Sequence, residues 1–278
     1  MSLPDLGVLT DAIRKIAKEE IAPRFEKVGF EVKSDGSLLT EADLATNQRI
    51  QRFLQENWPD IAFLSEEMTL EEQEEMLTQS GSMWCLDPLD GTSNFAAGFP
   101  LFAVSLALFR QGEVVLALTY DPVRDEAFTA QKGQGAWLNG KPLRCQPSDF
   151  PLRKAVAMVD LKRMQPEIRQ SLVNHAPYGS QRNIGTIALE WAWMTANRGQ
   201  LYLHGSMKLW DYAAGSLLLS EAGGYACTLE GESVFRLSMQ TRSAVASPDK
   251  RLFEEWFAYL QDLSAANAEA ENSPSPVV

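Results

Sequence analysis

The chain has 278 residues, of which 45 % are hydrophobic and 22 % charged, the balance of a globular protein with room for one large domain or two smaller ones packed together. A net charge of −12 excludes nucleic-acid binding through a broad basic face, because neutralising phosphates takes clustered Lys and Arg. No apolar run reaches the ~18 residues of a membrane span. The amphipathic opening MSLPDLGVLTDAIRKIAKEE does not read as a signal peptide, and Cys85, Cys145 and Cys227 are too few and too scattered for a disulfide framework or a zinc site. Both features point to a reducing, cytoplasmic setting without a membrane. With His175 and His204 as the whole histidine complement, a hydrolase built on a histidine base has little material.

Leu6, Leu9, Ile13, Ile16 and Ile21 recur at helical spacing and predict an amphipathic helix over residues 4–25. A second helix is expected from Glu41 to Asn57 with Leu44, Ile50, Phe53 and Leu54 inward. The acidic stretch SEEMTLEEQEEM (65–76) reads as a solvated helix or loop. IAFLS (61–65) and MWCL (83–86) read as short buried strands. FAVSLALFRQGEVVLALTY (102–120) reads as two strands joined at Gln111-Gly112, and the turn-rich residues 131–143 continue an antiparallel sheet.

The character changes around Ser148–Pro151. Beyond it the strand AVAMV (155–159) alternates with four helical stretches, PEIRQSLVNH, TIALEWAWMTAN, WDYAAGSLLLSEAG and PDKRLFEEWFAYLQDL, the pattern of an α/β half. This divides the chain into an N-terminal α+β part (1–150), a C-terminal α/β part (151–262) and a tail (263–278) expected to lack fixed structure.

WCLDPLDGTSNF (84–95) begins as a buried strand and then places Asp87 and Asp90 around Pro88-Leu89, directly before Gly91-Thr92. Where a strand gives way to a helix, unpaired backbone N–H groups favour an anion. Two carboxylates beside that anion repel it and each other, at roughly 4 kcal/mol for like charges 4 Å apart near a protein surface. A divalent cation removes the conflict, and oxygen ligands suit magnesium, which also takes phosphate oxygens. Read alone, Asp87 can equally cap a helix and Asp90 favour a turn. The same duality holds for Asp43, three residues after Thr40 as in a capping box. It holds too for the Glu66-Glu67 pair at a strand end, and for Asp211 in the first turn of a helix.

Taken in order, Thr40–Asp43, Glu66-Glu67, Asp87-Pro-Leu-Asp-Gly-Thr92 and Trp210-Asp-Tyr-Ala-Ala-Gly215 resemble the linked motifs of the inositol monophosphatase family of lithium-sensitive, magnesium-dependent phosphatases, over roughly residues 5–262. The resemblance implies a layered α-β-α-β-α fold of the inositol monophosphatase and fructose 1,6-bisphosphatase type, and a homodimer. It implies one magnesium on Glu66, Asp87 and the Leu89 carbonyl, a second on Asp87, Asp90 and Asp211, and a weaker third near Glu66, with lithium inhibiting. Asp43 and Thr92 match the pair that orients and deprotonates the attacking water, and Gly91 and Thr92 the phosphate grip. Asn183, Gly185 and Thr186 fall where the family shapes its alcohol pocket. Seven residues before Asp211, where many inositol-using members carry a glutamate, stands His204, with Arg182 and Lys208 nearby in sequence. That departure opens fructose 1,6-bisphosphate, 3'-phosphoadenosine 5'-phosphate and histidinol phosphate beside inositol 1-phosphate. A non-catalytic interaction protein on the same scaffold is the reading from another class. Lys33, ahead of the first motif, reads first as a solvated lysine, with a place near the phosphate as the alternative.

Overall fold

A computed structural model describes residues 3–25, 27, 29–33, 36, 38–78 and 81–271, with residues 266–271 by their backbone alone. Helix α1 (Leu6–Glu20) starts where the Asp5 carboxylate accepts the Val8 N–H, and it buries Leu9, Ile13, Ile16 and Ala17. It ends before Pro23 instead of reaching residue 25, because proline lacks the N–H that a continuing helix needs. An antiparallel pair, β1 (Phe30–Val32) and β2 (Leu38–Thr40), leads into α2 (Glu41–Asn57). Ala42, Thr46, Ile50 and Leu54 form the buried stripe of α2; Leu44 lies off it and is 43 % exposed, contrary to its expected inward position.

The first sheet has seven strands in chain order: β3 (Ala62–Ser65), β4 (Ser82–Asp90), β5 (Ala103–Arg110), β6 (Glu113–Asp121), β7 (Glu126–Gln131), β8 (Gly135–Leu138) and β9 (Lys141–Leu143). Helix α3 (Leu70–Thr78) makes the crossover between the parallel strands β3 and β4, and every later pair is antiparallel. Gln111-Gly112 turns β5 into β6 with φ of 53° and 76°, the left-handed pair that a two-residue hairpin requires. Strand β4 continues through Asp90 instead of ending at residue 86. Its register with β5 breaks between Asp87 and Asp90, where Pro88 has no N–H for the ladder. The short helix α4 (Thr92–Ala96) follows.

The second sheet is built from β10 (Val156–Val159), β11 (Ser180–Arg182), β12 (Leu201–Met207), β13 (Tyr225–Cys227) and β14 (Arg242–Ser247), in the order β11-β10-β12-β14-β13. Strand β10 runs parallel to β11 and β12, and β14 antiparallel to β12 and β13. Its helices are α5 (Pro166–Asn174), α6 (Ile187–Thr195), α7 (Leu209–Glu221) and α8 (Lys250–Glu271). Residues 263–271 extend α8 instead of fraying; SAANAEAE is rich in alanine, the strongest helix former. Residues 272–278 lie outside the described residues.

Alternation of side chains along the strands explains the layering. Trp84, Leu86, Leu106 and Leu108 pack with α1 and α2, whereas Met83, Cys85, Ala107 and Phe109 face α6 and α7. Tyr202, Ala244 and Ala246 of the second sheet meet α6 and α7 from the other side, while Leu201, Leu203 and Val245 pack on α5 and α8. The order is helices, sheet, helices, sheet, helices: the α-β-α-β-α sandwich expected. Helices α6 and α7 form its middle layer, touched by sheets on both sides, so IALEWAWMT and LWDYAAGSLLLSE are apolar nearly all round. Among the described residues no helix is long and apolar enough to cross a membrane.

Candidate active site

The end of β4 carries Asp87, Leu89 and Asp90, and Gly91 then turns the chain into α4. Gly91 has φ +97°, and a Cβ there would meet the Leu101 carbonyl oxygen at 2.9 Å, so this turn demands glycine. Asp87 is 2 % exposed and accepts the Leu89 N–H at 3.0 Å. Its partner across the sheet is Ser105, whose hydroxyl donates to the Trp210 carbonyl at 3.1 Å. That bond ties the first turn of α7, and with it Asp211, to the strand beside Asp87. Asp211 in turn accepts the Lys208 N–H at 2.7 Å. Glu66 follows β3, and its N–H donates to the Leu86 carbonyl at 3.1 Å, which sets it next to the same strand end.

These carboxylates press on one another. Burial pushes Asp87 well above the usual carboxylate range, and the charges of Glu66, Asp90 and Asp211 push further. Asp211 rises through burial and then through Asp90 and Glu66. Asp90 is pushed up to about 6 by burial, against the hydrogen bonds it accepts from the Thr186 hydroxyl and the Ala188 N–H. Among the described residues no three His, Cys, Asp or Glu side chains are already closed around one metal-sized point. The donor chemistry nevertheless fits a hard divalent cation: buried, mutually repelling carboxylate oxygens are the ligands that magnesium or calcium takes.

Lys33 is not the solvated side chain the sequence suggests. Its Nζ lies 3.3 Å from Glu66 Oε1 and 2.8 Å from Glu67 Oε1, with 20 % of the side chain exposed. The fold of the β1–β2 pair back toward the end of β3 brings these three together, which no local spacing announces.

Asp43 is buried, held in the capping box at the start of α2. Its Oδ2 accepts the Thr40 N–H at 2.7 Å and the Thr40 hydroxyl, leaving Oδ1 to face Thr92 Oγ1 at 3.1 Å. The Thr92 hydroxyl also stands 3.0 Å from the Leu89 carbonyl. It has a single proton and donates to one of these oxygens at a time. Burial raises the Asp43 carboxyl, opposed by its bonds from Thr40 and Thr92.

The four pocket positions separate. Asn183 and Gly185 lie exposed on the loop before α6, where Asn183 Oδ1 accepts the Gly185 N–H at 3.0 Å. Thr186 is 1 % exposed and caps α6 while bonding Asp90, so it holds a carboxylate instead of lining an open pocket. His204 is also 1 % exposed. It sits on β12, a central strand of its sheet, with the Tyr202 ring 6.4 Å away and Asp160 Oδ2 3.2 Å from Nε2. Burial lowers its pKa, and it is closed off from solvent instead of facing an open pocket. Sequence reasoning also missed Glu190, whose Oε1 accepts the Ile184 N–H at 3.1 Å and steadies the loop that delivers Thr186. A lone acid inside the apolar run ALEWAWM was its signal.

Residues 5–265 match the Inositol monophosphatase family. The chain is 33 % identical over 240 residues to an inositol-1-monophosphatase of Rhizobium meliloti, covering 81 % of this chain and 86 % of that one. It is 34 % identical over 250 residues to a protein of Xylella fastidiosa named Nus factor SuhB, covering 85 % and 86 %. A Thermotoga maritima IMPase shares the fold with a TM-score of 0.81 at 24 % identity, covering 94 % of this chain and 98 % of its own. The match across nearly the whole chain, together with the layered fold and the gathered carboxylates, establishes that the chain belongs to the inositol monophosphatase family and is an enzyme of the phosphatase type.

Proposed function

We propose that the chain is a magnesium-dependent phosphomonoester hydrolase that transfers the phosphoryl group directly to water, with inositol 1-phosphate as the first candidate substrate. The observation that carries this reading is the Asp43–Thr92 pair standing beside the strand end that bears Asp87 and Asp90. Glu66, Asp87 and the Leu89 carbonyl would hold one ion, and Asp87, Asp90 and Asp211 a second, with a weaker third near Glu66 and lithium competing for a magnesium position. Bound magnesium would neutralise the phosphate and the carboxylates and lower the pKa of water.

The protein's own residues supply the rest. Thr92 Oγ1 accepts a proton from the attacking water while passing its own to Asp43, whose raised pKa suits a base. The water oxygen bonds to phosphorus, the ester P–O bond breaks, and the alcohol leaves with a proton from solvent. Gly91 and Thr92 N–H groups, at the turn that only glycine makes, would hold the phosphate. The free cysteines support a reducing cytoplasm, and the family resemblance supports a homodimer.

Phosphate release is the test, from inositol 1-phosphate, fructose 1,6-bisphosphate, 3'-phosphoadenosine 5'-phosphate and histidinol phosphate in magnesium, with EDTA and lithium controls. Metal-dependent, lithium-sensitive release is expected. The relatives named Nus factor SuhB favour a second reading, an interaction protein on this scaffold. Inactivity on the whole panel, with magnesium still bound in a titration, would select it.

A further inference from the structure

Three segments meet behind the turn at Gly91, and one side chain joins them. Asn94 stands in α4, just after Thr92. Its Nδ2 donates at 2.8 Å to the Leu101 carbonyl and at 2.7 Å to the Ile184 carbonyl, ninety residues away, so both amide protons are engaged by backbone. Its own carbonyl accepts the Phe99 N–H at 2.8 Å. A Cβ on Gly91 would come within 3.2 Å of the Thr186 Cβ. The Thr186 hydroxyl and the Ala188 N–H donate to Asp90 Oδ2 at 2.5 and 2.6 Å. Residues 183–186 are therefore seated directly against the end of β4 and the turn that follows it.

Ile184 is gripped on every side. Glu190 takes its N–H at 3.1 Å, Asn94 its carbonyl, and its side chain packs against Ala103, Ala188 and Leu189. Its two neighbours, Asn183 and Gly185, stay exposed. Gly185 has φ +74°, and a Cβ there would meet Asn94 Nδ2 at 3.0 Å, so the loop rests on the Asn94 amide itself. Glu190 belongs to the helix that this loop begins, and it shapes the loop from within. Asn94 comes from the phosphate side. It sets the distance between the Gly91 and Thr92 N–H groups and the exposed face at Asn183 and Gly185, the gap that an ester bound at both ends must span.

We propose that Asn94 is a positioning residue for the alcohol half of the substrate: it fixes the 183–185 loop relative to the phosphate grip, and so governs how tightly the whole ester binds without governing how phosphate binds. The proposal rests on the phosphatase reading above and on its placing of the alcohol beside Asn183 and Gly185. A contact made alike to the bound ester and to the transition state shows in KM and leaves kcat nearly unchanged. If Asn94 only braced α4, its loss would weaken the hold on phosphate itself.

The test takes the wild type through the four esters named above and carries the best of them to Asn94→Ala and Gly185→Ala. Inorganic phosphate serves as a competitive inhibitor that has no alcohol, and melting temperatures as a folding control. Asn94→Ala should raise KM for the ester about tenfold with kcat changed by no more than about threefold, while the inhibition constant of phosphate stays within about twofold of the wild type. Gly185→Ala leaves Asn94 in place but pushes the loop off its amide, and should show the same split. If Asn94→Ala has no melting transition, Gly185→Ala decides by that split. An unmoved KM, a loss confined to kcat, or a KM and a phosphate inhibition constant that rise together overturns the proposal while sparing the phosphatase reading. A wild type inert on all four esters overturns that reading, and the proposal with it.

Discussion

Glu190 lies in the middle helical layer, 2 % exposed, and reaches back to accept the Ile184 N–H at 3.1 Å. Burial lifts its carboxyl from the ordinary 4.5 to about 8; the Asp90 and Asp160 charges add to the rise, and the Ile184 N–H and the Tyr202 hydroxyl oppose it. Between those two values the folded protein keeps a proton that the unfolded chain has released. Stability therefore falls as pH rises through the window: the contribution is whole below about 4.5 and gone above about 8. At about 1.4 kcal/mol per unit the shift amounts to about 5 kcal/mol, an upper figure because neighbouring acids respond as well. Glu190→Gln preserves the shape and the oxygen that Ile184 needs but cannot ionise. Urea unfolding of both proteins from pH 5 to 8.5, in EDTA to remove metal linkage, reads the difference. The variant should match the wild type within about 1 kcal/mol at pH 5 and exceed it by a few kcal/mol at pH 8. Parallel stability curves across that range refute the reasoning.

Three other substitutions probe the site and its scaffold. Asp90→Asn, which removes one of the clustered charges, should lower magnesium-dependent turnover by at least about 100-fold, and near-normal rates would rule out its role as a ligand. Thr92→Ala should cut kcat by about 100-fold or more with KM little altered, since it removes the hydroxyl that relays a proton to Asp43. A change confined to KM would argue against water activation. Gly215→Ala would put a Cβ 2.3 Å from the Trp191 Cβ, where α6 and α7 cross in the middle layer. A loss of about 1–3 kcal/mol, read as a lowered melting temperature, is expected, and an unchanged melting temperature would mean that the helices part freely.

Much of this architecture can be read from local chemistry. Helical spacing in α1 and α2, alternation in β5 and β6, and left-handed Gln111-Gly112 are short-range signals, and the chain obeys them. The same holds for Thr40–Asp43, because a capping box spans only three residues. Errors fell where short-range rules compete. Pro88 reads as the close of a strand, but β4 survives it through a register break because β5 continues on the other side. The tail reads as disordered by composition, yet alanine carries α8 to Glu271.

Residue order along the chain was enough to name the acids at Asp43, Glu66, Asp87, Asp90 and Asp211, since motif spacing survives without coordinates. Tertiary structure alone decided what those acids meet. Lys33 pairs with Glu66 and Glu67 across more than thirty positions, and Thr186 reaches Asp90 across ninety-six. His204 passes from a pocket position to a buried partner of Asp160 because β12 lies inside its sheet. Periodicity and caps act within a turn or two of backbone, so sequence carries them openly. Burial and charge pairing depend on which distant segments the two sheets bring face to face across the shared helical layer, and that is settled only when the whole chain packs.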